Sequence, residues 1–129
     1  MREIKFRGKR GDSGEWVYGN LAIDFDGNCI IFTGDIADYY AQTLYEVIPE
    51  SVGQYTGLKD KDGKEIYEGD VVEWECEYDS EDNDQSVIYE RKAVELVEGV
   101  YEPVFAFHID DMPKVIGNTT DNPEMVEAI

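Results

Sequence analysis

Residues 72 to 78 alternate without a slip. Val72, Trp74, Cys76 and Tyr78 fall on one side of an extended chain, and Glu73, Glu75 and Glu77 fall on the other. Successive side chains of a strand point to opposite faces, so the segment buries an apolar row only as a strand, with its carboxylates in water. A shift of one residue would bury three carboxylates, which sets the register strongly. A chain built around such a segment must form a sheet with one face on a core.

Period-two patterning recurs along much of the chain. Ile4 and Phe6, between charged neighbours, read as an opening strand, and Asp12-Ser13-Gly14 as a turn. Trp16 to Ile23 reads as a second strand, with Gly19 marking a bulge. Asp26-Gly27 supplies the positive φ of a tight turn before the strand Cys29 to Phe32. Residues 35 to 48 predict a short helical turn, then a strand ending at Pro49. Gln54 to Leu58 and Glu65 to Tyr67 are short β-prone stretches between turns at 59 to 64 and 68 to 70. The acidic segment 79 to 85 reads as a hairpin tip. Val87 to Val97 and Tyr101 to Ile109 read as strands joined through Glu98-Gly99, and Val115 to Asn118 as a last short strand. Asn122-Pro123-Glu124 predicts a short terminal helix, with Asn as cap and Pro at the first helical position. The expected fold class is mainly β, with a small N-terminal antiparallel sheet over residues 1 to 48 and a second subdomain over residues 49 to 129. Pro49, which interrupts the pattern, is the expected boundary.

Charge narrows the functional classes. The chain has 30 acidic and 11 basic residues, a formal charge of -19, yet its hydrophobic content of 42% supplies a core and argues against an acidic disordered chain. Residues 11 to 58 hold no Lys or Arg, and residues 62 to 90 hold twelve acids against Lys64 alone. A field of that sign repels phosphates and anionic membranes. The bases gather at the start, where Arg2, Lys5, Arg7, Lys9 and Arg10 oppose only Glu3, so nucleic-acid binding is expected only if that basic patch acts alone. No apolar run approaches the ~20 residues of a membrane span, and no apolar stretch follows the first charges, so a secretory leader is not expected and the expected compartment is, by default, the cytosol.

Chemistry-bearing residues are sparse. His108 is the single histidine, with no nucleophile or orienting partner identifiable beside it. Cys29 and Cys76 are 47 residues apart, which is neither a metal nor a redox spacing; buried free thiols are expected, and a disulfide is left open. Asp79, Glu81, Asn83 and Glu90 fall at positions 1, 3, 5 and 12 of a calcium loop, but Asp84 stands where the sharp turn needs glycine. Asp60, Asp62 and Gly63 resemble part of such a loop, interleaved with lysines that disfavour a cation. Gly8-Lys9-Arg10-Gly11 lacks the features of a phosphate loop. No enzyme activity, metal, cofactor or small-molecule substrate is expected.

The segment Met1 to Arg7, the long block Val52-Gly53-Gln54-Tyr55-Thr56-Gly57-Leu58-Lys59-Asp60-Lys61-Asp62-Gly63-Lys64-Glu65-Ile66-Tyr67-Glu68-Gly69-Asp70-Val71-Val72, and Val115-Ile116-Gly117-Asn118 with Asn122-Pro123-Glu124 together resemble the YopX family. The resemblance implies a small protein of phage or prophage genomes whose C-terminal part, residues 49 to 129, is an SH3-like small barrel. It carries no activity and no catalytic residues. Read physically, the block is a folding signature: Gly57, Gly63 and Gly69 punctuate turns, while Ile66, Tyr67, Val71 and Val72 feed a core.

The expected function is a non-enzymatic protein–protein interaction module that self-associates in the host bacterial cytoplasm, with an unknown host or phage protein as further partner. The nine tyrosines and the small sheets motivate that expectation, because small sheets leave edges to be covered. One alternative is an acidic decoy that presents Glu73, Glu75 and Glu77 to a basic host protein as a nucleic-acid mimic. Another is a nucleic-acid-binding barrel that uses Arg2, Lys5, Arg7, Lys9 and Arg10.

Overall fold

The structure, a computed structural model, describes residues 4–33, 43–79, 85–108 and 111–127, without the side chains of 77–79, 85–88 and 127. The protein is mainly β. It divides into two compact units, Met1–Gly57 and Leu58–Ile129.

In the first unit, β1 (Phe6–Lys9), β2 (Trp16–Ile23), β3 (Cys29–Thr33) and β4 (Thr43–Val47) form an antiparallel meander, and β5 (Gly53–Lys59) adds beside β1 to give the order β4-β3-β2-β1-β5. The end of β4 returns to the end of β1 through an Arg10–Val47 bridge and an Ile48 N–H that donates to the Lys9 carbonyl at 2.8 Å. Gly8 makes that return possible, since a Cβ there would lie 2.7 Å from Val47 Cγ2. The buried core is Cys29, Ile31 and Val47, covered by Phe6, Val17, Leu21 and Val52.

The expected boundary at Pro49 moves to Gly57. Pro49–Ser51 is a single 3-10 turn, after which Gly53 and Gln54 pair with Arg7 and Phe6. That pairing draws residues 49 to 57 into the N-terminal unit. Gly19 makes no bulge: the β1–β2 register runs unbroken through Phe6↔Gly19. The missing side chain there instead lets the Phe32 carbonyl approach the backbone. The helical turn expected within 35 to 42 lies outside the described residues.

In the second unit, β6 (Glu65–Tyr67) follows the turn at 60–63. β7 (Asp70–Asp79) is the centre of a three-stranded antiparallel sheet, flanked by β8 (Gln85–Ala93) and by β11 (Lys114–Asn118). The core joins Ile66, Val72, Val94, Tyr101, Val104, Met112 and Val115, with Leu58, Trp74 and Phe107 packed against it. Trp74 lies on the core side, as the alternation requires, and meets Phe107 edge-on at 5.2 Å between centroids. Such pairs add about 1 kcal/mol beyond area burial.

Two expected strands are shorter than their patterns. The segment 87 to 97 breaks at Val94, which is buried and exchanges backbone hydrogen bonds with the β7 entry: Val94 N–H donates to Asp70 O and Gly69 N–H donates to Val94 O. β9 (Glu95–Val97) then turns through Glu98 and Gly99, both at positive φ, into β10 (Val100–Glu102). Pro103 ends β10, and a 3-10 turn at Val104–Ala106 inserts Val104 into the core where a strand was expected. The terminal helix α1 (Glu124–Glu127) forms, but the Asn122 side chain does not cap it in the expected way; its Oδ1 accepts the Asn118 N–H at 3.3 Å. The barrel expected for residues 49 to 129 is not closed among the described residues. Closure needs an unbroken ladder, and here the sheet β11-β7-β8 and the hairpin β9–β10 remain separate ladders.

Two buried aspartates hold the signature block. Asp60 is 6% exposed. Its Oδ1 accepts the Asp62 and Lys64 N–H groups at 2.9 and 2.8 Å, and its Oδ2 accepts the Val115 N–H, 55 residues away, at 3.0 Å. The carboxylate therefore closes its own turn and ties that turn to β11. Asp70, also buried, accepts the Tyr67 N–H on Oδ2 at 2.7 Å across the Glu68-Gly69 turn. Paired in this way, the Asp60 turn uses its carboxylate oxygens on backbone donors, which accounts for its partial resemblance to a cation loop.

Candidate functional site

The acidic row sits on β7 as expected. Glu73 and Glu75 lie on the side of the strand opposite Trp74; the backbone of Glu77 continues the strand, and its side chain lies outside the described ones. The structure places bases beside the row. Glu73 stands opposite Lys114 on β11 and Arg91 on β8, and Arg91 Nε lies 3.9 Å from Glu73 Oε2. Glu75 stands opposite Tyr89, which is 62% exposed. This face of the sheet is thus a mixed one, with acids alternating with Lys, Arg and Tyr in space.

A groove of about 590 Å³ opens beside β7, lined by residues from both faces of the strand. Its apolar wall is Trp74, Phe107, Met112 and Pro113, and Glu75 and Asp111 stand on its rim. The cause is local. β11 pairs with β7 only as far as Lys114↔Glu73, whereas β7 runs on to Asp79. Pro113, which has no N–H to give a ladder, precedes the first residue of β11 and stops it there. From Trp74 onward that edge of β7 has no strand beside it among the described residues.

The basic residues are dispersed over three aromatic rings of the first unit. Lys5 Nζ lies 5.4 Å from the Tyr55 ring centroid, the Arg7 guanidinium 4.8 Å from Trp16, and the Arg10 guanidinium 5.0 Å from Tyr45. Arg7 is buried, at 5% exposure. The Lys9 backbone N–H donates to Ser51 Oγ at 2.8 Å. Arg10 grips Asp12 with two hydrogen bonds, of 3.1 and 2.8 Å, and lies 3.8 Å from Glu15. The hydrogen bond to Asp12 raises the Arg10 pKa above its ordinary value, and the same bond holds the Asp12 carboxyl below the usual carboxylate range. Arg2 lies outside the described residues.

His108 is exposed, and its carbonyl accepts the Asp111 N–H at 2.9 Å. Both cysteines are free thiols, Cys29 buried and Cys76 half-buried. Among the described residues no group of three or more His, Cys, Asp or Glu side chains could hold a metal ion, and no helix is long and apolar enough to cross a membrane.

Sequence reasoning placed Trp74 and the carboxylates on their faces but missed the groove. Its signal was Pro113 directly before a five-residue strand that faces a ten-residue one.

The fold is similar to that of a solved protein, EF1440 from Enterococcus faecalis. The two are 23% identical with a TM-score of 0.54, over 98% of this chain and 100% of that one. No curated protein matches the chain. The family model of the YopX protein matches residues 5–127, nearly the whole sequence, with the second and third blocks of the signature and the end of the first; the chain belongs to the YopX family.

Proposed function

We propose that this YopX-family chain is a non-enzymatic protein–protein interaction module that self-associates, encoded by a phage or prophage and acting in the host bacterial cytoplasm. The phage setting and the compartment rest on what the family resemblance implies. Self-association rests on one observation: β8 is a nine-residue strand on the outside of its sheet, with the exposed Tyr89 at its middle. A long edge presents unpaired backbone groups that a second strand satisfies. Two copies related by a two-fold axis through Tyr89 would pair ring with ring. Centring the axis on Glu90 or Arg91 would set like charges face to face, so the charge pattern favours the Tyr89 register.

Sedimentation equilibrium from micromolar to millimolar concentration tests this. The expected result is a species of twice the 14.7 kDa chain mass, lost in Tyr89→Lys while the circular dichroism spectrum is kept. A wild-type chain that stays monomeric at millimolar concentration, or a Tyr89→Lys variant that associates as well as wild type, refutes it.

The acidic-decoy reading receives less support, because Lys114 and Arg91 interrupt the carboxylate row at Glu73. The nucleic-acid reading likewise has Arg7 buried and Arg10 held by Asp12.

A further inference from the structure

We infer that the loop between β2 and β3 is a docking knob: Phe25, flanked by Asp24 and Asp26, enters an apolar pocket rimmed by Lys or Arg on a partner protein. This rests on reading the chain as a protein–protein interaction module, but not on self-association through β8, which belongs to the other unit.

The first observation is exposure. Phe25 stands wholly in solvent, at 110% relative exposure, and Ile23 at the end of β2 is 64% exposed. An aromatic ring so placed loses its contact with water only by entering another molecule, and rings of this kind dominate interface energetics.

The second is rigidity. Asp24 Oδ1 accepts the Asp26 and Asn28 N–H groups, each at 2.9 Å, and Oδ2 accepts the Asn28 side-chain amide at 3.0 Å. The Asp24 N–H donates to Asn28 O at 3.0 Å, the Gly27 N–H donates to Asp24 O at 3.1 Å, and Gly27 supplies the turn at φ 84°. The backbone that carries Phe25 is therefore ordered before any partner arrives, which removes a cost of binding. A fixed aromatic seated in a desolvated pocket is the usual form of a binding hot spot.

The third is charge, and it names the occupant. Asp24 and Asp26 flank the ring, and Glu46 stands on β4 opposite Ile30 of β3. The loop and the strands β2, β3 and β4 contain no Lys or Arg. β1, which carries Arg7 and Lys9, pairs with the far end of β2, from Trp16 to Gly19. Arg10, which reaches β4 at Val47, is held by Asp12 at 2.8 Å. The carboxylates beside Phe25 thus have no base in their own loop or strands to offset them, and a basic rim on the partner answers them. The net charge of -19 speeds encounter with such a surface. A second copy of the chain would bring the same negative field, and an anionic bilayer would repel the loop.

The test uses the full chain, labelled with ¹⁵N, and two modified β-cyclodextrins as minimal pockets, both apolar inside, one rimmed with ammonium groups and the other with carboxylates. The ammonium host is expected to bind roughly tenfold tighter, with the largest amide shifts at residues 24 to 28. Phe25→Ser, which removes only exposed atoms, is expected to abolish those shifts and keep the circular dichroism spectrum. Asp26→Asn is expected to weaken binding roughly threefold, the size of one exposed ion pair. The occupant is then read by photo-crosslinking Phe25→p-benzoylphenylalanine in native host cells. The expected adduct joins a different protein through a peptide that contains Lys or Arg, and it is much reduced by adding Asp26→Lys. The inference falls if the two hosts bind equally, if the shifts centre on Tyr89 or Phe105, or if Asp26→Lys leaves the adduct unchanged. It also falls if adducts form only with lipid or only with a second copy, at twice 14.7 kDa. Sedimentation of wild type and Phe25→Ser reports association through β8 separately, so failure of one reading is distinguishable from failure of the other.

Discussion

Replacing Asp60 tests the claim that the signature block is a folding device. The carboxylate accepts three backbone N–H groups, those of Asp62, Lys64 and Val115. Hydrogen bonds to charged acceptors contribute about 1.5–3 kcal/mol each, and the upper end belongs to donors left buried without a partner. The Val115 N–H is buried, so Asp60→Ala strands it at about 2 kcal/mol. The Asp62 and Lys64 amides are half-buried and recover water in part, at about 1 kcal/mol each. The sum is about 4 kcal/mol, a large share of the roughly 5–15 kcal/mol of a typical domain. Asp60→Asn keeps one acceptor for the turn but points an amide N–H at the Val115 N–H, so it should lose about 2 kcal/mol. Urea unfolding at pH 7, followed by tryptophan fluorescence, should rank the proteins wild type, Asn, Ala, with the midpoint falling at constant slope. A loss below about 1 kcal/mol in Asp60→Ala, or an Asn variant as stable as wild type, would show that the carboxylate does not tie the turn to β11.

Gly8→Ala places a Cβ 2.7 Å from Val47 Cγ2, in a buried site where the branched side chain has little freedom to turn away; a loss of about 1–3 kcal/mol is expected. Combining it with Val47→Ala should cost less than the two single changes added, and simple additivity in that cycle would refute the contact. The Asp24 carboxyl accepts the Asn28 backbone N–H at 2.9 Å, its side-chain amide at 3.0 Å and the Asp26 N–H at 2.9 Å, and the Asn28 backbone bond is the leading cause that lowers its pKa. A carboxyl lowered on folding contributes stability that is present above the unfolded value of about 3.9 and is lost as pH falls through the lower folded value. Carboxyl titration by NMR should give Asp24 a midpoint below about 3.9, and a midpoint at or above that value would contradict the turn geometry.

The strand β7 was legible because its information is local. Alternation between Val72–Trp74–Cys76 and Glu73–Glu75 is a two-residue property, and burying either row gives only one stable answer. The same holds for β2, whose bounds at Trp16 and Ile23 match the pattern, and for the turns at Gly27, Gly63 and Gly69, each at positive φ. The strand expected over 101 to 109 failed for a reason also written locally, at Pro103, but its outcome depended on Val104 finding a buried place in the core.

Partners distant in sequence were not legible, because hydrophobic alternation says which face is buried and not which edge meets which. The pairing of Gly53 and Gln54 with β1 moved the boundary from Pro49 to Gly57, and nothing in residues 49 to 57 names β1 as the neighbour. Asp60 looked like a fragment of a cation loop until Val115 arrived at its second oxygen. The basic residues formed one run in the chain, yet tertiary packing sends Lys5, Arg7 and Arg10 to three separate rings. The groove has the same origin: each of its strands is encoded where it lies, but among the described residues β7 has no strand on that edge beyond Glu73 because β11 stops there while β7 continues. Sequence alone thus determined the faces of the strands and the sharpness of the turns, which are set by neighbouring side chains. The fold decided the edges, which are set by where two distant strands happen to end.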